Sequence, residues 1–390
     1  MAVPAEQKRT YRRSLGLVEL VSLGVGGTIG SGIFVVPGIA AGIAGSSSLL
    51  VWVFVAASAS SVALSLARIQ ALSPSGTLFT ALFSPVFGRV LSAVLVGVYL
   101  VSCVFGVATI AAGLGQYFSY FSVPHVVLFE IFVLAVFLGV NVVGIALSGQ
   151  TENILTGIKV VALVAFALAL APSVRSENLG FVEVASLSDL LKVAIIVYWP
   201  FTGFEISAIP VEESRDPARI ARAIVLVMAL VCSIYVALNV SLIGAVGSAE
   251  LASSSAPLAH AAGRLFAGAA PIVGVVAIIT MLSALNAYIV GASRVLQNVA
   301  ATYRLPWFAG LSERGVPATS LAAICGFAAL MLLFSNRFEE LAAASVVTNL
   351  VPYIAICIAA LAMLKDLAAR VTALAGVVLT TAILVLYLLL

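Results

Sequence analysis

The sequence predicts an all-α polytopic membrane protein of about eleven crossings, arranged as a five-plus-five inverted repeat with discontinuous first and sixth helices. Three observations lead there. Hydrophobic residue types make up 63% of the 390 residues, charged types only 9%, and the mean hydropathy is +1.21. A soluble globular domain is about half apolar and roughly a quarter charged, so lipid must be the solvent for most of this surface. Apolar runs are continuous, as in VALVAFALALA (161–171) and the stretch 372–390, and do not alternate as barrel strands would. Two of the runs are interrupted by glycine or proline near their middles.

A helix needs about 20 residues to cross the bilayer. At that length the chain divides into a cytoplasmic tail, 1–14, and eleven spans: Leu15–Ala44, Ser48–Leu72, Gly88–Phe118, His125–Leu147, Asn153–Ala171, Leu190–Ala208, Arg219–Val246, Pro271–Ala300, Thr319–Phe334, Phe338–Leu364 and Thr372–Leu390. Residues 15–172 form a first repeat, 185–364 a second, and 372–390 an appended span. The amphipathic stretch TLFTALFSPVF (77–87) is expected to lie along the inner face. No short apolar stretch with a small-residue cleavage site opens the chain, so the tail reads as retained. The four cysteines, Cys103, Cys232, Cys325 and Cys357, fall inside apolar runs, where no disulfide framework is expected.

Lysine and arginine set the orientation. With the N-terminus inside, inner loops and their flanks carry Lys8, Arg9, Arg12, Arg13, Arg68, Arg89, Arg215, Arg219, Arg222, Arg294, Arg304, Arg314, Lys365 and Arg370, while outer segments carry Arg175, Lys192, Arg264 and Arg337. That bias of 14 to 4 puts the C-terminus outside after an odd number of crossings. The basic residues form no block beyond the tail, so nucleic acid is not an expected partner; the lipid bilayer is.

The first span holds five glycines between Gly24 and Gly32, each costing a helix about 1 kcal/mol relative to alanine. Close packing through small residues would explain them. Local unwinding would also explain them, and would free backbone groups that lipid cannot satisfy and that a ligand could. At about 1.5 Å per residue, Gly27 to Gly30 lie roughly 18–22 Å beyond Leu15, near mid-membrane. The sixth span breaks at Tyr198–Glu205, where Pro200 removes a donor and Gly203 follows. Two interrupted spans entering from opposite sides are what an inverted repeat with a central binding site produces.

At these residues the sequence resembles the amino acid–polyamine–organocation transporter superfamily. The resemblance rests on Gly26-Gly27-Thr28-Ile29-Gly30-Ser31-Gly32-Ile33-Phe34 in the first span and Phe201-Thr202-Gly203-Phe204-Glu205 in the sixth. It is supported by the acidic loop Glu212-Glu213-Ser214-Arg215-Asp216-Pro217 and by Ser283-Ala284-Leu285-Asn286 in the eighth span. It covers ten spans and implies the five-plus-five fold first seen in a sodium–leucine transporter. Many members have twelve helices; the twelfth is peripheral in that fold.

Two charges lie deep in apolar runs. Lys159 is about nine residues, roughly 14 Å, into the fifth span, where a charge costs at least about 2.5–3.5 kcal/mol. It could snorkel to the inner surface, or it could be a buried amine that takes up and releases a proton. In proton-coupled members a fifth-helix lysine stands where sodium-driven relatives hold an ion. Asn141, Gly144 and Asn153 precede Lys159 in the family's order, which implies contacts with first-span carbonyls near Gly24 and Gly27 and with Ser283. Glu205 could cap freed backbone donors. The resemblance implies instead a gate, in which the acid bonds tyrosines of the third and tenth spans, here Tyr99 and Tyr353. Glu19, Glu130 and Lys192, closer to helix ends, read as interfacial, and His125 and His260 sit at loop edges.

The expected substrate is an amino acid. Its carboxylate would meet the N–H groups of Gly30, Ser31 and Gly32 at a helix N-terminus, and its ammonium the carbonyls near Thr28, Trp199 and Thr202. Ser102, Cys103, Trp199, Thr202, Phe204 and Asn286 would line the side-chain pocket. All are neutral, which favours neutral amino acids over cationic or anionic ones. The expected activity is proton-coupled symport by alternating access, with Lys159 carrying the coupling proton and neither cofactor nor metal. The alternative is an exchanger or facilitator, amine and polyamine substrates included, in which Lys159 is a fixed cation. An intramembrane enzyme fits poorly, since no HExxH pair and no serine–histidine constellation occurs. A passive channel fits poorly as well, since no repeated filter loop is visible.

Overall fold

The computed structural model describes residues 15–72, 78–121, 127–144, 149–180, 185–209, 214–216 and 218–390. The tail with its four basic residues, His125, Glu212, Glu213, Pro217 and the first residue of the amphipathic stretch, Thr77, lie outside the described residues.

Helix dominates, and among the described residues there is no strand, only an isolated bridge between Leu15 and Ser214. Among the described residues eight helical stretches are long and apolar enough to cross a membrane, and Val127–Val143 and Ala318–Phe334 are shorter apolar helices. The first stretch, Leu17–Leu72, contains two crossings, because the chain turns through Gly45–Ser47 between Ala44 and Ser48. The eleven expected spans are therefore all represented as helices. Boundaries move by a few residues: the fifth span is Gly149–Leu170 and the eighth Ala269–Tyr303. The amphipathic segment and third span form Leu78–Tyr120, kinked at Gly88, whose φ of 74° only glycine adopts readily. Phe79, Leu82 and Phe83 of the short arm are buried, and the Phe79 ring lies 4.2 Å from that of Tyr99.

Both expected breaks exist, in different forms. The first span winds as α-helix up to Thr28 and resumes at Ser31, so only Ile29 and Gly30 leave the helix. The glycines before it stay helical and serve close packing. A β-carbon at Gly24 would come within 2.6 Å of Val227, and one at Gly27 within 2.5 Å of Ile206. The sixth span is α-helical over Leu187–Tyr198, tightens to 3-10 over Trp199–Phe201, turns at Gly203 (φ 95°), and continues as 3-10 over Phe204–Ala208. Lower first span, seventh span, fifth span and this 3-10 segment pack together, which brings the two breaks face to face.

Candidate functional site

The two breaks meet at glycine. A β-carbon at Gly203 would lie 2.9 Å from the Gly27 carbonyl oxygen, and one at Gly32 would lie 2.8 Å from Cα of Pro200. Backbones this close leave a small enclosed space. It is lined by Gly27, Thr28, Gly30, Ser31 and Gly32 from the first span, Trp199, Pro200 and Thr202 from the sixth, Ile110 from the third and Tyr288 from the eighth. The lining carries no charge. Its free volume of about 10 Å³ is room for roughly one water. Aromatic rings bound it: the Trp199 and Tyr288 rings are 5.8 Å apart, Trp199 Nε1 donates to Ser31 Oγ at 3.3 Å, and Tyr288 and Thr202 share a hydroxyl bond of 3.0 Å.

Six of the ten expected substrate residues, Thr28, Gly30, Ser31, Gly32, Trp199 and Thr202, line this space. Four do not. Asn286 points to the fourth span, where its Oδ1 accepts from Asn141 Nδ2 at 2.9 Å. Phe204 packs its ring 5.3 Å from Tyr353, Ser102 Oγ donates to the Tyr99 carbonyl at 2.7 Å, and Cys103 is buried on the Tyr99–Gly106 face of the third span without lining the space. For Asn286 the reason is helical phase. The cavity face of the eighth span runs through Ala284, 3.0 Å from a β-carbon at Gly30, to Tyr288 four residues on. Asn286 lies about 160° round from Ala284 at 100° per residue. Tyr288 and Ile110 line the space in addition to the expected residues. Ile110 sits on the Tyr99–Gly106 face of the third span, a signal present in the spacing.

Some backbone groups expected to face substrate have local partners. Gly30 N donates to Thr28 O at 3.1 Å, Tyr235 OH donates to the same carbonyl at 3.1 Å, and Trp199 O accepts from Thr202 N and Oγ1 at 3.1 and 2.8 Å. Ser31 and Gly32 open the helix Ser31–Ala44, so their N–H groups have no acceptor within it.

Below the cavity, Glu205 is 2% exposed. Its carboxylate accepts from Tyr99 OH at 3.2 Å, from Tyr353 OH at 2.7 Å and from Gly203 N at 3.2 Å. The two tyrosines implied by resemblance therefore meet the acid, and the capping bond to backbone is present too.

Lys159 is 1% exposed and does not reach a surface, so it does not snorkel. Its Nζ donates to Gly26 O at 3.1 Å and to Ser283 Oγ at 3.1 Å. The first-span carbonyl is that of Gly26, between Gly24 and Gly27; Gly24 O is taken by Thr28 Oγ1 at 2.7 Å. Glu152, a buried acid seven residues before Lys159 and not among the expected site residues, joins this cluster: its Oε1 accepts from Ser283 Oγ at 3.3 Å. The signal was the seven-residue spacing, two turns on one face. Glu130, expected at an interface, is fully buried against Gly115.

The family profile described as amino acid permease matches residues 15–390. An uncharacterized transporter of Mycobacterium tuberculosis is 32% identical over 324 residues, 80% of this chain and 71% of its own length. The branched-chain amino acid permease BcaP of Bacillus subtilis is 25% identical over 74% of this chain and 67% of its own. The L-methionine/branched-chain amino acid exporter YjeH of Escherichia coli is 26% identical over 84% of this chain and 80% of its own. This chain belongs to the amino acid permease family: it is an integral membrane transporter, not an enzyme.

Proposed function

We propose that the protein moves a neutral amino acid across the cell membrane together with a proton, by alternating access around the two broken spans. The observation that carries this reading is Lys159, a buried amine bonded at once to the first span through Gly26 and to the eighth through Ser283. With its proton the amine donates charge-assisted bonds that hold the first, fifth and eighth spans together. Without it those bonds weaken and the first span is free to swing. Linkage then couples the two cargoes: whatever raises substrate affinity on protonation raises proton affinity on substrate binding.

The substrate class follows from the uncharged lining and from Glu205, whose oxygens are committed to Tyr99, Tyr353 and Gly203. Neither a cationic nor an anionic side chain would find a partner there. The N-terminus of Ser31–Ala44 is the place for the carboxylate. Relatives named for branched-chain amino acids and methionine point to the apolar end of the neutral class. Ser102, Cys103, Phe204 and Asn286 then act around the pocket, not in it.

A second reading draws on Glu152. A counter-charge reached through Ser283 suits Lys159 as a fixed structural cation in an exchanger. Uptake into proteoliposomes separates the two. Under symport, an inward proton gradient alone drives wild-type leucine or methionine above its outside concentration. Lys159→Ala loses that accumulation at least tenfold while binding substrate. A wild type that only exchanges, or a Lys159→Ala protein that still concentrates substrate on a proton gradient, favours the fixed-cation reading. A strict sodium requirement removes proton symport.

A further inference from the structure

Glu152 is 4% exposed and sits in the first turn of the fifth span. Its carboxylate lies against the first span at Gly26, where a β-carbon would collide with Oε1, and Gly26 O is also the acceptor for Lys159. Thr156 Oγ1 donates to Ser22 O at 3.1 Å and lies 3.5 Å from the same Oε1. Ser283 Oγ stands between the charges, accepting from Lys159 Nζ at 3.1 Å and donating to Glu152 Oε1 at 3.3 Å. Lys159 and Glu152 are joined through this hydroxyl and not by direct contact. Here a hydroxyl is interposed, and a hydroxyl accepts and donates at once.

The charge that acts on Glu152 is that of Lys159. The first span contributes Glu19, held by Gly16 N at 2.8 Å. The seventh span carries its charges in its opening residues, Arg219 and Arg222, and the eighth carries Arg294, about three turns beyond Ser283.

Resting on the symport reading, we propose that Glu152 is the second proton-binding group of the coupling unit, receiving the proton of Lys159 through Ser283. The Nζ–H bond of Lys159 breaks as its proton passes to Ser283 Oγ, while the proton already on that oxygen passes to Glu152 Oε1. Ammonium, hydroxyl and carboxylate become amine, hydroxyl and carboxylic acid, with net charge unchanged. The ion pair becomes two neutral groups, which the low-dielectric interior favours. The charge-assisted bond to Gly26 becomes an ordinary one, which loosens the first span. The proton then waits in the first turn of the fifth span, two turns nearer that end of the protein than Lys159.

Proteoliposomes holding a pH-sensitive dye test this by reading protons moved per substrate alongside substrate accumulation and counterflow. Wild type is measured first: no proton-driven uptake there removes the symport reading, and this proposal with it. With wild-type coupling present, Glu152→Gln and Ser283→Ala each lower the ratio of proton-driven accumulation to counterflow at least tenfold, and Glu152→Asp restores part of it. Ser283→Ala keeps both charged groups, so it serves if Glu152→Gln does not fold. Accumulation and counterflow falling together in both variants would make Glu152 structural. Wild-type accumulation and proton count in Glu152→Gln would take it off the route. Either result overturns the proposal.

Discussion

Three donors converge on the buried Glu205 carboxylate, and they belong to two different jobs. Gly203 N–H is a backbone group freed by the sixth-span break, so accepting from it is capping. Tyr99 and Tyr353 come from the third and tenth spans and tie those spans to the break. Single substitutions separate the jobs. Tyr99→Phe and Tyr353→Phe leave the cap intact, and a gate built on the tyrosines should slow turnover about tenfold in each with substrate Kd within threefold. Glu205→Ala strands two buried hydroxyls, at about 1–3 kcal/mol each, and should slow turnover further than either. If both phenylalanine variants turn over as wild type, Glu205 is a cap alone. At this scale the sequence was legible where a charge interrupts an apolar run: Lys159 and Glu205 stand out for that reason. Glu152 did not, because an acid in a first helical turn is ordinary. Asn286 could not be aimed from sequence, because a polar residue near a motif says nothing about which way its helix is turned.

Glycine does different work at the two breaks. In the first span, Gly24 and Gly27 stay in helix and allow close approach to Val227 and Ile206, so the break shrinks to Ile29–Gly30. Both sequence readings of the glycine string were therefore partly right: packing explains its first half and unwinding its end. Composition could not divide them, since a packed and an unwound glycine look alike until the neighbouring helix is known. Gly32 also meets Pro200, so loss of transport in a bulky Gly32 variant would report backbone packing as much as carboxylate binding. Gly203 is the sharper probe: its φ is 95°, and a β-carbon there would stand 2.9 Å from Gly27 O. Left-handed backbone costs a side chain about 1–2 kcal/mol, and the clash adds about 1–3 kcal/mol. Gly203→Ala should lower the melting temperature in detergent by several degrees. Gly139→Ala, where a β-carbon meets nothing within 4 Å, should leave it unchanged or raise it. Equal melting temperatures for the two variants would contradict the tight approach of the breaks.

For the whole molecule, the eleven spans were readable because about 20 apolar residues are a physical requirement of the bilayer, and the structure keeps helix at every one. What the sequence adds beyond the helices is a direction. The bias of 14 basic residues to 4 predicts the turn around Arg337 outside and the turn at Lys365 inside. The helix Phe338–Met363 joins those two turns in one crossing, so they must lie on opposite sides whatever the ends of the chain do. Arg337 and Lys365 are both exposed, while Cys103, Cys325 and Cys357 are buried and Cys232 is half-buried, so introduced thiols can be read over the native ones. In intact cells a membrane-impermeant maleimide should label Arg337→Cys at once and Lys365→Cys only after permeabilisation. The opposite pattern inverts the orientation. The Glu152 end of the fifth span is an even number of crossings from Lys365 and so shares its side. An inverted pattern would therefore move that end to the exterior, and reverse the face to which the proposed relay delivers its proton.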